Sequence, residues 1–111
     1  MKFDVKKDGN LTILTIKEKK IDTSVSAELK AEFLILCKPK NSEVLVVDMK
    51  AVEFCDSSGL SALLIAHRTM NEHKGEVRFA NVNKSILNLL KISQLDRLFR
   101  IYGTVKQAIK G

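Results

Sequence analysis

The 111-residue chain is 45% apolar and 29% charged, with a net charge of +6. That length supports one domain around one core and excludes a two-domain protein. No apolar run approaches the roughly 18–20 residues of a membrane span, and the charged start MKFDVKKDGN lacks the apolar stretch of a signal peptide, so a cytoplasmic chain is expected.

In chain order, strands are predicted at residues 3–7 and 11–16, joined at Asp8-Gly9-Asn10, because Asp-Gly between apolar runs signals a hairpin. Val25, Leu29, Phe33 and Leu36 then recur at intervals of three and four, predicting a helix over 24–37 that Pro39 stops. The run EVLVVDM (43–49) is apolar without alternation, as in a strand buried on both faces at the centre of a sheet. A second helix opens within VEFCDSSGLSALLIAH (52–67). Its Leu60, Leu63, Leu64, His67 and Met70 share one arc, and Gly75 is expected to cap its end. A strand over 76–82, a helix over 84–92, a strand near 98–102 and a helix from Thr104 complete the order β-β-α-β-α-β-α-β-α. Alternating strands and helices imply mainly parallel pairing, and the opening hairpin makes the sheet mixed. Cys37 and Cys55 lie in apolar surroundings without a CxxC partner and read as buried free thiols.

Charge is uneven along the chain. Residues 1–76 carry 12 basic and 12 acidic side chains, whereas residues 77–111 carry seven basic side chains against Asp96 alone. Such an excess fits a solvated face or an acidic partner. A nucleic-acid platform would present an arginine cluster and aromatics interleaved with the lysines, and this stretch has neither.

The stretch DSSG (56–59) stands where functional groups collect in such folds, just past a central strand and at the start of a helix. A serine nucleophile needs a base within reach. The G-x-S-x-G elbow is absent, and His67 lies nine residues beyond Ser58, roughly 13 Å along a helix. His67 itself, within the apolar arc, reads as a core or boundary residue. The six-residue spacing of His67 and His73 places them on different helix faces, unlike a zinc pair. No enzyme, metal or cofactor is therefore expected. Asp56 or Ser57 serves as an N-cap, with Ser57 the better placed of the two serines to cap and Ser58 turned outward. Gly59, a poor helix former, suits a place where another backbone or a ligand comes close. Capping alone and a phosphorylation or contact site both remain open on these residues.

DMKAVEFCDSSGLSALL resembles the signature of the STAS domain, and specifically of bacterial anti-sigma factor antagonists. Ile21-Asp22, EVRFANVN and LDRLFRIYGTVKQAI also match family patterns, so the resemblance covers essentially all 111 residues as a single STAS domain. It implies an α/β fold with a mixed β-sheet and helices packed mainly on one face. It also implies a switch, in which the domain binds an anti-sigma factor that is itself a serine kinase, and so frees a sigma factor. The kinase phosphorylates the serine before the glycine, here Ser58, and a PP2C-type phosphatase reverses this. Asp56, Ser57, Ser58 and Gly59, with Asp22 and Thr23, would form the contact surface. An adaptor role in another assembly, such as a lipid-transporting ABC complex or a stress-sensing scaffold, is the alternative. Two features depart from the family pattern: Ser93-Gln94 where a glycine often closes the third helix, and the basic C-terminal third. A phosphate on Ser58 is expected to lie about 6 Å from Asp56, where exposed like charges repel weakly and the fold is unaltered.

Overall fold

The computed structural model describes residues 1–38 and 43–111. Strands β1 (Phe3–Asp8) and β2 (Leu11–Ile16) form the expected hairpin. Its two-residue loop takes glycine at its first position, Gly9, with φ of 60°. After a two-residue strand β3 (Lys20–Ile21) comes α1 (Thr23–Leu36). Its last turn closes when the Cys37 N–H donates to Phe33 O at 2.8 Å. The proline proposed as its stop, Pro39, lies outside the described residues.

The remaining elements are β4 (Val44–Asp48), β5 (Phe54–Cys55), α2 (Ser57–Glu72), β6 (Glu76–Ala80), α3 (Lys84–Ile92), a 3₁₀ turn (Leu95–Arg97), β7 (Arg100–Tyr102) and α4 (Val105–Lys110). Five strands make the main sheet in the order β1-β2-β4-β6-β7, with only the β1–β2 pair antiparallel. β4 is central, and its continuous apolar run is explained by burial on both sides. Leu45 and Val47 join Leu14, Ile16, Val77 and Phe79 against Leu29 and Phe33 of α1, Leu63 and Met70 of α2 and Ile86 and Leu90 of α3. Val46 and Ala80 face the other way, against Ala108 of α4. Three helices thus cover one face and the short α4 the other.

Five details depart from the sequence-based expectation. The strands β3 and β5, two residues each, pair in parallel as a small second sheet. β6 stops at Ala80 because Asn81 turns into the left-handed region at φ 58°. β7 starts at Arg100 because Phe99 turns inward instead, its ring centroid 4.7 Å from that of Phe79. The end of α2 is closed by Lys74 at φ 66°, not by Gly75. The N–H of Lys74 donates to Asn71 O and that of Gly75 to Met70 O, the paired bonds of a Schellman motif. At the end of α3, Gln94 takes the left-handed conformation (φ 63°) without a glycine.

The basic C-terminal third is partly turned inward. Arg78 Nη1 donates to Ala108 O at 2.8 Å and so holds the last turn of α4 on the sheet. Glu76 accepts from Arg78 Nε at 2.9 Å and lies 3.2 Å from Arg100 Nε. The guanidinium of Arg78 is the main reason that the Glu76 carboxyl titrates below its usual range. Lys84, Lys91, Arg97, Lys106 and Lys110 are exposed.

Candidate functional site

The β3–β5 pair sets Ile21 opposite Cys55, and each strand is followed at once by an aspartate that caps a helix. Asp22 opens α1 and Asp56 opens α2. Asp56 is tied to the other strand, because its N–H donates to Ile21 O at 3.2 Å. The candidate residues Asp22, Thr23, Asp56, Ser57 and Ser58 are thereby brought to one corner.

Of the two expected caps, Asp56 and Ser57, the structure uses Asp56, and the two serines differ from expectation: Ser57 does not cap and Ser58 is not turned freely outward. Asp56 is the cap: its Oδ1 accepts the Gly59 N–H at 3.0 Å and the Ser58 hydroxyl at 2.6 Å. Ser58 is half-buried, while Ser57 is exposed and forms no side-chain hydrogen bond among the described residues. The 2.6 Å contact also removes the basis for a 6 Å separation between Asp56 and a phosphate on Ser58. Two donors on one carboxylate oxygen favour its charged form. The Ser58 hydroxyl, and next the Gly59 N–H, hold the Asp56 carboxyl below the usual range. Asp22 is lowered in the same way by the Ser24 hydroxyl and N–H, with the nearby Asp56 charge opposing.

Gly59 is buried, and the close approach it permits is internal. A Cβ there would lie 2.5 Å from Ile21 O and 2.5 Å from Cys55 Sγ. The first turn of α2 thus rests directly on the β3–β5 pair, and Gly59 shapes this corner from below rather than presenting a surface.

Two asparagines that sequence reasoning did not single out hold the corner in place. Asn83 caps α3 by accepting the Ile86 N–H at 2.8 Å, while its Nδ2 donates to Val52 O and Glu53 O at 3.2 Å each. Asn81 Nδ2 donates to Asp48 Oδ1 at 2.9 Å, beside the Lys50 N–H at 3.1 Å. An asparagine directly before a helical run was the available signal for Asn83. The carbonyls it reaches are 31 and 30 residues away, and no local pattern reports them. Beside the serines, a groove of about 410 Å³ runs between α2 and α3. Phe54, Leu60, Leu89 and Ile92 line it, together with Asp56 and Ser57.

Neither histidine is available to the serines. His67 packs on Phe99, with ring centroids 5.6 Å apart, and pairs with Asn71 at 3.1 Å. Burial, aided by Arg68, lowers its pKa. His73 Nε2 lies 2.7 Å from Cys37 O. Cys37 and Cys55 are buried free thiols, pushed up to about 12 by burial. Among the described residues there is no cluster of three or more His, Cys, Asp or Glu suited to a metal, and no helix is long and apolar enough to cross a membrane.

The family model for the STAS domain matches residues 2–108. The chain belongs to the STAS domain family. A curated relative, an anti-sigma F factor antagonist from Paenibacillus polymyxa, is 31% identical over 70 residues, covering 63% of this chain and 60% of that protein. The match thus spans less than two thirds of the relative's length. Among solved structures, an anti-sigma factor antagonist from Mycobacterium paratuberculosis superposes with a TM-score of 0.85 at 20% identity, covering 98% of this chain and 91% of that one. The phosphorylated form of the Bacillus cell fate determinant SpoIIAA gives 0.76 at 15% identity, covering 98% and 97%. At these identities the structural likeness establishes the STAS fold, a mixed sheet with four helices, and no more.

Proposed function

We propose that this STAS domain is an anti-sigma factor antagonist that acts in the cytoplasm by binding rather than by catalysis. It engages an anti-sigma factor with serine kinase activity, lets go when Ser58 is phosphorylated, and is restored by a PP2C-type phosphatase. The observation that carries this reading is the corner where Asp22-Thr23 and Asp56-Ser57-Ser58 meet across the β3–β5 pair. It gathers residues the family resemblance names on one solvent-reachable surface, with no histidine beside either serine and Asp56 engaged as the helix cap. Asp22, Thr23, Asp56, Ser57 and Ser58 form the contact surface, with Gly59 beneath it. No cofactor takes part and no nucleic acid is bound directly.

The test is recovery of the protein with its partners from native lysate, followed by reaction with the recovered ATP-dependent kinase and peptide mapping. One phosphate on Ser58 is expected. Phosphate on Ser57 or Ser61 with Ser58 untouched, or recovery with membrane transport subunits and no kinase, would overturn the reading.

A further inference from the structure

We propose that phosphorylation of Ser58 expels the Asp56 carboxylate from the cap of α2 and sets the phosphate in its place. The inference rests on Ser58 being the phosphoacceptor and concerns what the modification does within the domain.

In the unmodified protein the Ser58 hydroxyl is a donor. Together with the Gly59 N–H it holds Asp56 Oδ1 over the first turn of α2, at 2.6 and 3.0 Å. Phosphoryl transfer from a nucleoside triphosphate forms the Oγ–P bond and breaks the bond from the γ-phosphorus to its bridging oxygen. The nucleoside diphosphate leaves and the hydroxyl proton passes to solvent. The ester oxygen that remains has no proton to donate. A contact of 2.6 Å between two oxygens thereby loses the hydrogen that sustained it. It gains instead a group of roughly −1.5 to −2 charge on one side, facing a carboxylate on the other.

Something at this corner must move, and the packing decides what. The backbone of the first turn is wedged, since there is no room even for a methyl group between Gly59 and the Ile21 carbonyl or the Cys55 sulfur. The Asp56 side chain is only half-buried and is free to turn toward solvent. The phosphate, tethered at the second residue of α2, then accepts the Gly59 N–H that the carboxylate leaves, at the end of a helix that favours anions. Ser57 supplies the contrast. Its exposed hydroxyl forms no hydrogen bond with Asp56, so a phosphate there leaves the cap intact.

The test installs phosphoserine during translation, by genetic-code expansion, and needs no kinase. Melting temperatures are measured for the unmodified protein and for the protein phosphorylated at residue 58, each with and without Asp56→Ala. The substitution is expected to lower the unmodified protein's melting temperature by roughly 3–6 °C, as loss of a cap in a domain of this size does. In the phosphorylated protein the same substitution is expected to lower it by less than about 1 °C, or to raise it. With phosphoserine at 57 instead, the full loss is expected to return. An equal loss with and without phosphate at 58, or a loss abolished equally by phosphate at 57, overturns the proposal. If Asp56→Ala does not fold, the crystal structure of the otherwise unsubstituted phosphoprotein decides. Asp56 Oδ1 is expected beyond about 3.5 Å from the Gly59 nitrogen, and retention of that hydrogen bond overturns the proposal. A cognate kinase that ignores Ser58 would remove the proposed function without altering this result.

Discussion

At the start of α1, Asp22 Oδ1 accepts the Ser24 hydroxyl at 2.5 Å; at the start of α2, Asp56 Oδ1 accepts the Ser58 hydroxyl at 2.6 Å. Asp-Thr-Ser and Asp-Ser-Ser thus build the same cap after strands that pair with each other. The two helices diverge one residue later. After Ser24 comes Val25, a core side chain, and Asp22 caps the Ser24 N–H. After Ser58 comes Gly59, packed where no Cβ fits, and Asp56 reaches one residue further to the Gly59 N–H. Ser24 is exposed and Ser58 half-buried. One local motif therefore yields a loose cap at α1 and a wedged one at α2, and the difference comes from what lies beneath the helix.

Breaking the wedge is expected to have the largest effect. Gly59→Ala places a methyl group against a backbone carbonyl that cannot rotate away, and is expected to lose about 2–3 kcal/mol in denaturant unfolding. Val25→Ala, at the matching position of α1, deletes packing without a clash, and should lose less than Gly59→Ala. If Gly59→Ala is as stable as the parent, the wedge is not what distinguishes the two caps.

Asn83 supplies the next effect. It ties the approach to α2 down through Val52 and Glu53, whereas the approach to α1 is held by other bonds, from the Lys2 N–H to Glu18 and from the Glu53 and Phe54 N–H groups to Lys19 O. Asn83→Ala removes the α3 cap and both carbonyl contacts, with an expected loss of about 1–2 kcal/mol. Amide hydrogen exchange should quicken over 52–55 and not over 20–24. Uniform quickening would mean that Asn83 acts only through global stability.

The third test is read in pH. Both aspartates titrate below the ordinary value of 3.8, each chiefly because of its serine hydroxyl. A depressed folded-state pKa contributes stability that is fully present above the unfolded value and lost as pH falls through the folded one. Ser24→Ala is expected to raise the Asp22 midpoint and Ser58→Ala that of Asp56, each leaving the other nearly in place, as followed by NMR titration. A Ser58→Ala variant with an unmoved Asp56 midpoint would separate the hydroxyl from the cap.

Ser57 gives the smallest effect. Its exposed hydroxyl has no side-chain partner among the described residues, so Ser57→Ala should leave stability within about 0.5 kcal/mol of the parent. A larger loss in a thermal melt would show that Ser57 shares the capping role after all.

The sequence by itself determined much of this protein. Periodicity placed the core of α1, α2 and α3, and the unbroken apolar run of β4 announced a central strand, because apolar side chains must be removed from water whatever surrounds them. The DSSG block marked the corner proposed as the contact site. What only the tertiary structure decided was which residue does which job there. Strands of two residues, Lys20–Ile21 and Phe54–Cys55, are too short to show a period, and their pairing joins segments far apart in the chain. That pairing sets Ile21 and Cys55 beneath Gly59, so a glycine that looked open to a partner is filled from within. It also leaves Asp56 rather than Ser57 to cap the helix, and the Ser58 hydroxyl bonded rather than free. Local sequence states which groups are able to form a hydrogen bond, but which of them meet depends on the packing that brings distant backbone into contact.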